Sequence, residues 1–328
     1  ETRMNVGEIF DLYRKEIDDA VGIDSCKLVP DWQALRYLND AENEACRRSR
    51  LLIDSSTTET VAAGTVVIAG ASGSISFVTV NGVTITSGSV AFSTDLETTA
   101  AALAANINAY TSNPNYTAKS FMDTVTVFAA AGSGATPNGY AIAATTVTLT
   151  TRCSPLAGGG PLCSISLVAG TSLYTRNPKL LRIRRAKVAS RSLPLYGMTM
   201  KEMDDADPGW EARTGTVEAL VLGMDTGKFR TYRIPTASDT MTVTGVRLPL
   251  VPMATRTDYP EINERFHYSL IHWMKFKTFS VQDSEIYKPG LAKEALEMFE
   301  NEFGRKSAAY NEAFDDTMMP FDTYDGSW

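Results

Sequence analysis

Hydrophobic positions in this chain switch between helical and strand spacing, and the switches divide it. In residues 261–279, Ile262, Phe266, Leu270, Trp273 and Met274 recur at helical spacing, while Ile271 and Phe276 widen the stripe beyond one face. Ala292, Ala295, Leu296, Phe299, Phe303 and Tyr310 form a second run, so the short connection at 280–284 predicts an antiparallel helix pair. Pro289-Gly290 breaks or starts that second helix. At the other end Asn5 and Glu8 offer a capping box to a helix with Val6, Ile9, Phe10, Tyr13 and Ile17, ending near Val21-Gly22. Asp31 is a suitable N-cap for the next helix, whose stripe is Trp32, Leu35, Leu38, Ala41, Ala45 and Cys46.

From Thr57 the period becomes two. TVVIAG, SISFVTVNGVTITSG, DTVTVFAAA and TTVTLTT alternate and are β-branched, with Asn81-Gly82 as the strongest hairpin signal. One helix, 95–110, interrupts them, with Leu96, Ala100, Leu103 and Ile107 on a face and Thr94 as the expected cap. After Ser172, LLRIRRAKVAS reads as a strand with Leu181 and Ile183 opposite Arg182 and Arg184. GMTMKEMDD suits a short helix, TVEALVLGMDTGKFRTYRIP two strands and DTMTVTGVRLPL another, which together predict one antiparallel sheet.

The fold class expected is α+β: a discontinuous helical bundle from both chain ends plus a small antiparallel β-sheet, with an inserted β-rich domain containing one helix. The expected divisions are an N-terminal helix pair (1–58), the insert (59–173), the β region of the body (174–258), a C-terminal helix pair (259–314) and an arm (315–328).

Composition sharpens the insert most. Residues 60–172 carry only Asp95, Glu97, Lys119, Asp123 and Arg152 as charged side chains, although 21% of the 328-residue chain is charged. Their β-branched alternation favours a folded module over disorder. A formal charge of -7 argues against a protein whose main task is gripping nucleic acid. The opening residues lack an apolar core of signal-peptide length, and no run of 18 apolar residues occurs, so neither secretion nor membrane insertion is expected. Cys26, Cys46, Cys153 and Cys163 are too few and scattered for a disulfide scaffold. Cys153 and Cys163 flank the turn-like SPLAGGGPL and would bridge only if their Cα atoms came within about 7 Å.

Catalytic patterns are absent from the sequence. His267 and His272 are five apart, about 140° around a helix, unlike an i, i+4 metal pair; their apolar neighbours fit core or interface positions. The run from Gly223 to Lys228 is one residue short of a phosphate loop and leads into a strand, so a hairpin turn explains it. Asp204, Asp205 and Asp207 read as solvated loop charges, and Arg47, Arg48 and Arg50 as complements to a helix dipole. In the densest basic stretch, Arg176 to Arg191, strand alternation separates Arg182 and Arg184 from Arg185 and Lys187, which favours subunit salt bridges or solvation over a DNA track. No catalytic residue, cofactor or metal site is expected.

NVGEIFDLYRKEIDD, the Asp31-Trp32 helix start with LNDAENEACR, RNPKLLRIRRA, VEALVLGMDTGKFRTYRIP and EINERFHYSLIHWMKFKTFSVQD, in that order, resemble the tailed-phage head-to-tail adaptor proteins, also termed connector or head-completion proteins. VNGVTITSG, DLETTAAALAANINAYTSNPNYTA and VTVFAAAGSGATPNGYAI are similar to small β-rich modules of phage virion proteins. The resemblance implies a non-enzymatic virion protein of the neck, assembled in the host cytoplasm as a homo-oligomeric ring, a dodecamer in the family pattern. Its implied partners are the portal protein, a downstream tail or nozzle protein and further copies of itself, with genomic DNA passing through the channel without specific binding. No membrane partner and no cofactor are implied. Phe314 at the end of the terminal helix and Met318, Met319, Phe321, Tyr324 and Trp328 of the arm offer apolar anchors for the portal or a neighbouring subunit. Two other readings stay open: a tail or decoration protein whose insert is the main interaction module, and a cytoplasmic enzyme without a recognisable motif.

Overall fold

The computed structural model describes residues 3–19, 28–282 and 287–307. Helices α1 (Val6–Glu16), α2 (Asp31–Ser49), α3 (Leu96–Ala109), α4 (Met200–Ala206), α5 (Leu270–Phe279) and α6 (Pro289–Phe303) combine with antiparallel sheets in an α+β fold. The chain divides into two compact units, one of Glu1–Ala45, Val61–Gly160 and Val251–Gly304, the other built on Cys46–Thr60 and Pro161–Leu250.

In the first unit, α1 begins with the expected capping box. Asn5 Oδ1 accepts from the Glu8 amide at 2.9 Å, and the Asn5 amide donates to Glu8 Oε2 at 2.8 Å. Val6, Ile9, Phe10 and Tyr13 are buried at helical spacing. The helix ends at Glu16, short of residues 21–22, because Asp18 takes a left-handed φ of 58° and the chain turns. Asp31 opens α2, and Trp32, expected in the buried stripe, is instead 52% exposed. The polar side chains of α2 hold the returning chain. Asn39 grips Met253 through both amide atoms, at 2.8 and 3.0 Å, and buried Glu42 accepts from the amides of Glu261 and Ile262 at 2.5 and 3.3 Å.

That anchoring explains a second departure from the sequence pattern. The expected helix over 261–279 becomes a 3₁₀ turn, Glu264–Phe266, capped by Asn263, followed by α5 from Leu270. His267 is buried between them; with Nε2 donating to the Ile262 carbonyl at 3.1 Å, Nδ1 accepts from the Met4 amide at 3.2 Å. Residues 262–267 therefore serve tertiary partners. Tyr13 meets Thr278 on α5 at 2.5 Å, and Glu16 accepts from Tyr268 and Lys275 at 2.7 and 3.0 Å. α6 packs back on α5 through the Trp273–Phe299 rings, 5.0 Å apart, and on the 3₁₀ turn through Phe266–Phe303, 5.6 Å apart, while Phe299 and Phe303 meet along α6 at 4.7 Å.

The same unit contains the charge-poor segment. Thr150–Ala157, Ala63–Ala69, Thr124–Phe128 and Thr117–Phe121 form one antiparallel sheet in that order. Ser74–Val80 pairs with Ile142–Val147 in another, and Asn81 and Gly82 both take positive φ, as the expected hairpin turn requires. The cap of α3 is Asp95 rather than Thr94, accepting from the Thr98 amide at 2.7 Å. Ala100, Leu103 and Ile107 of α3 share a core with Val66, Ile68, Ile75, Val78, Val125 and Val127 from the two sheets.

In the second unit the expected single sheet is two. Asp239–Arg247 carries Leu180–Val188 along one edge and Ser164–Leu167 with Leu52–Asp54 along the other. The second sheet runs Leu173–Thr175, Lys228–Tyr232, Ala219–Leu222, Tyr196–Thr199, and its last pair is parallel. Ala219–Leu222 is buried at all four positions because Leu220 and Leu222 face the core shared with Met241 and Val243, while Val221 meets Met203 and Trp210 behind it. Two bulges in Leu180–Val188 bury Leu180, Ile183, Ala186 and Val188 and leave Leu181 half-buried, which overturns the expected Leu181–Ile183 face. Gly245 permits that path, since a Cβ there would lie 2.6 Å from the Arg182 carbonyl oxygen. Cys46, Cys153 and Cys163 are free thiols, so the bridge considered between the last two is not formed.

Candidate functional site

Asp204, Asp207 and the Gly223–Lys228 run, singled out by sequence, have structural roles. Asp204 and Asp207 belong to α4 and its C-cap rather than to an open loop. Asp204 accepts from Trp210 Nε1 at 2.8 Å; Asp207 accepts from Arg213 at 3.0 and 3.1 Å and from the Tyr232 hydroxyl at 3.1 Å. The Arg213 hydrogen bond, reinforced by that of Tyr232, holds the Asp207 carboxyl below the ordinary carboxylate range. Thr199 and Glu202 close a capping box at the start of α4. Gly223 to Lys228 is a hairpin turn between Ala219–Leu222 and Lys228–Tyr232, with Lys228 3.3 Å from Asp225. His272, in contact with Tyr268 rather than with His267, has its pKa lowered mainly by burial. Among the described residues no group of three or more His, Cys, Asp or Glu could hold a metal ion. No described helix is long and apolar enough to cross a membrane.

Apolar surface is where the described structure has chemistry to spare. On α6 the buried face is Ala292, Ala295, Phe299 and Phe303. Leu291 and Met298 are seven residues apart and therefore nearly in line, about 100° from that face; they are 45% and 42% exposed. Tyr287, just before the helix, is 49% exposed. Glu294 and Glu297 are exposed on the same helix, and Glu297 pairs with Lys293 at 3.8 Å. This is a mixed apolar and acidic face, suited to a protein partner that brings both apolar and basic groups.

The second unit presents another. Tyr196–Thr199 is an edge strand, and Leu193, Tyr196 and Met200 around it are all exposed, Tyr196 at 63%. Arg191 donates to the Glu218 carbonyl at 2.9 Å and lies over the Tyr196 ring at 5.9 Å, which steadies that ring at the surface. An open strand edge beside exposed apolar side chains is a ready place for another chain to add.

Residues 160–322 match the family model of the SU10 adaptor protein. The match runs from the sheets of the second unit through α4, α5 and α6, so both apolar surfaces lie inside it. The shared core of α3 and its two sheets, 62–156, lies outside it. The match supports a phage structural protein of the adaptor type, one that works alongside other phage proteins in the virion. No curated protein matches the chain.

Phe314, Met318, Met319, Phe321, Tyr324 and Trp328 lie outside the described residues; the first four fall within the adaptor match. The exposed stripe of α6 escaped the sequence reading because Leu291 and Met298 sit beside the core stripe. Their seven-residue spacing was the available signal. Tyr196 carried none, since in a strand pattern an exposed tyrosine is indistinguishable from a buried one.

Proposed function

We propose that this protein is a non-enzymatic adaptor of the virion neck, a homo-oligomeric ring that joins the portal to the tail and lets genomic DNA pass. The adaptor match over residues 160–322 carries the reading. Exposed apolar positions on α6 and at the Tyr196–Thr199 edge supply surfaces that ring closure and docking would bury. The net charge of -7 suits a conduit that releases DNA, wherever acidic groups face the channel. Phe314 at the end of the C-terminal helix pair, with Met318, Met319, Phe321, Tyr324 and Trp328 of the arm, is proposed as the apolar anchor for the portal or a neighbouring subunit. The β-rich core over 62–156, which shares its compact unit with the terminal helices, is an addition that closure of the ring does not need.

Two variants test the assembly role. Replacing Leu291 and Met298 together by Asp changes stability by less than about 0.5 kcal/mol each, as exposed positions do, yet weakens self-association or portal binding by more than about tenfold. Deleting residues 315–328 has the same separation of effects. Sedimentation and portal pull-down read both; unchanged association in both variants would remove α6 and the arm from the interface.

A further inference from the structure

The β-rich segment of the first unit contains a cavity of about 290 Å³ lined by Pro114, Tyr116, Ser133, Thr136, Pro137 and Tyr140, with small residues between them. Its walls are braced. Ser112 Oγ donates to the Pro114 carbonyl at 2.9 Å, and Ser133 Oγ to that of Ala130 at 2.6 Å. Asn138 grips Gly159 through both amide atoms at 2.7 and 2.9 Å, and the Tyr140 amide donates to Pro137 at 3.1 Å. A cavity held open this way costs a ligand little reorganisation.

Its chemistry is specific. Tyr116 is 2% exposed, and its hydroxyl makes no hydrogen bond with any described residue; the same holds for the hydroxyl of half-buried Tyr140. Neither phenol oxygen is among the buried unsatisfied atoms, so both are open to water or to a ligand, and a ligand hydroxyl can take the place of that water. No lining side chain is charged. An anion or cation would lose its hydration with nothing to replace it. A ligand suited to this lining is therefore small and neutral. Hydroxyl or carbonyl groups match the two phenols and Thr136, and apolar faces match the phenol and proline rings.

We propose that this cavity is a binding site for one neutral sugar ring of a glycan. A pyranose presents hydroxyls at its edge to Tyr116, Tyr140 and Thr136, and C–H groups on its faces to the rings and prolines. The volume lies at the small end for ligand sites, which suits a single ring rather than a long oligosaccharide. A proline-rich peptide would also use tyrosine and proline surfaces, but it docks along open aromatic-lined grooves and offers no hydroxyls to the two phenols.

Saturation-transfer NMR on the full chain decides this, with glucose, galactose, mannose and N-acetylglucosamine as probes, and sialic acid and a hexaproline peptide beside them. The expected result is transfer to at least one neutral sugar and none to sialic acid or the peptide. Tyr116→Phe weakens the sugar about three- to tenfold, the effect of one hydrogen bond. Tyr140→Ala and Thr136→Arg abolish it. Thr136 is at the exposed rim, so T136R blocks the site without touching the core and decides alone if Y140A fails to fold. Transfer to no neutral sugar, transfer that survives T136R, or hexaproline displacing the sugar would overturn the proposal.

Discussion

Replacing Arg14 by Met is expected to destabilise the protein by about 3–5 kcal/mol, although it removes one charge from a chain that has many. Arg14 is 4% exposed and pairs with Asp19 through Nη1 and with Asp31 through Nη2, while Nη2 also donates to the Val29 carbonyl at 2.9 Å. Asp19 and Asp31 are themselves 4% and 1% exposed. Without the guanidinium, Asp31 keeps Arg256, whose side chain is half in solvent, but Asp19 loses its cation inside the protein. Removing one member of a buried set costs far more than the set contributes as a whole, because the remaining charge stays desolvated. Arg14→Lys should recover only part of the loss, since one ammonium cannot span both carboxylates and the carbonyl with a planar fork. Urea denaturation of the three proteins measures this; a Met variant within about 1 kcal/mol of the parent would show that the network is not sealed from water.

Asp54→Asn should cost about 3 kcal/mol or more, and should also change the acid response. Burial alone would raise the Asp54 pKa. Hydrogen bonds from the Thr57 hydroxyl at 2.7 Å, the Ser56 and Thr57 amides at 2.8 and 3.1 Å and Arg247 Nε at 2.7 Å outweigh it and hold the carboxyl well below the ordinary range. A carboxylate depressed on folding contributes stability above its unfolded pKa, about 4, and loses it as pH falls through the folded value. The parent should therefore lose stability below pH of about 4 more steeply than the Asn variant does. Parallel acid profiles for the two would contradict this assignment. The pair joins Leu52–Asp54 to the Asp239–Arg247 strand, so the second unit is the part expected to loosen first in acid.

Neither network was visible in the sequence, and the reason is physical. Asp19, Asp31 and Arg256 are distant in the chain, and nothing in local spacing says which charges are drawn inside. Local rules succeeded where local physics decides: the Asn5–Glu8 capping box, the Asn81-Gly82 turn, the hairpin around Asp225 and the α5–α6 pairing. They failed where tertiary partners compete. His267 and Glu42 draw the backbone before Leu270 away from a helix, and the two bulges beside Gly245 break the alternation of Leu180–Val188. The four strands after Ser172 were visible one by one, but not their division between two sheets, because ALVL gives no period to say which face is covered.

The candidate site was legible in a different way. Family-like order in the packing residues pointed to an adaptor, and the match over residues 160–322 supports that type. The surfaces that would do the work were not legible, since Leu291, Met298 and Tyr196 look like core residues until their exposure is seen. The Tyr116–Tyr140 cavity was hidden for the opposite reason. It lies in a segment whose composition suggests only strands and turns.

Electron microscopy of the neck in intact particles tests the adaptor reading most directly. The expected density is a closed ring of copies of this chain at the single portal vertex, between portal and tail, with α6 and the arm against neighbouring proteins and a DNA-wide channel through the centre. Copies scattered over the capsid lattice or repeated along the tail, with none at the portal vertex, would contradict it.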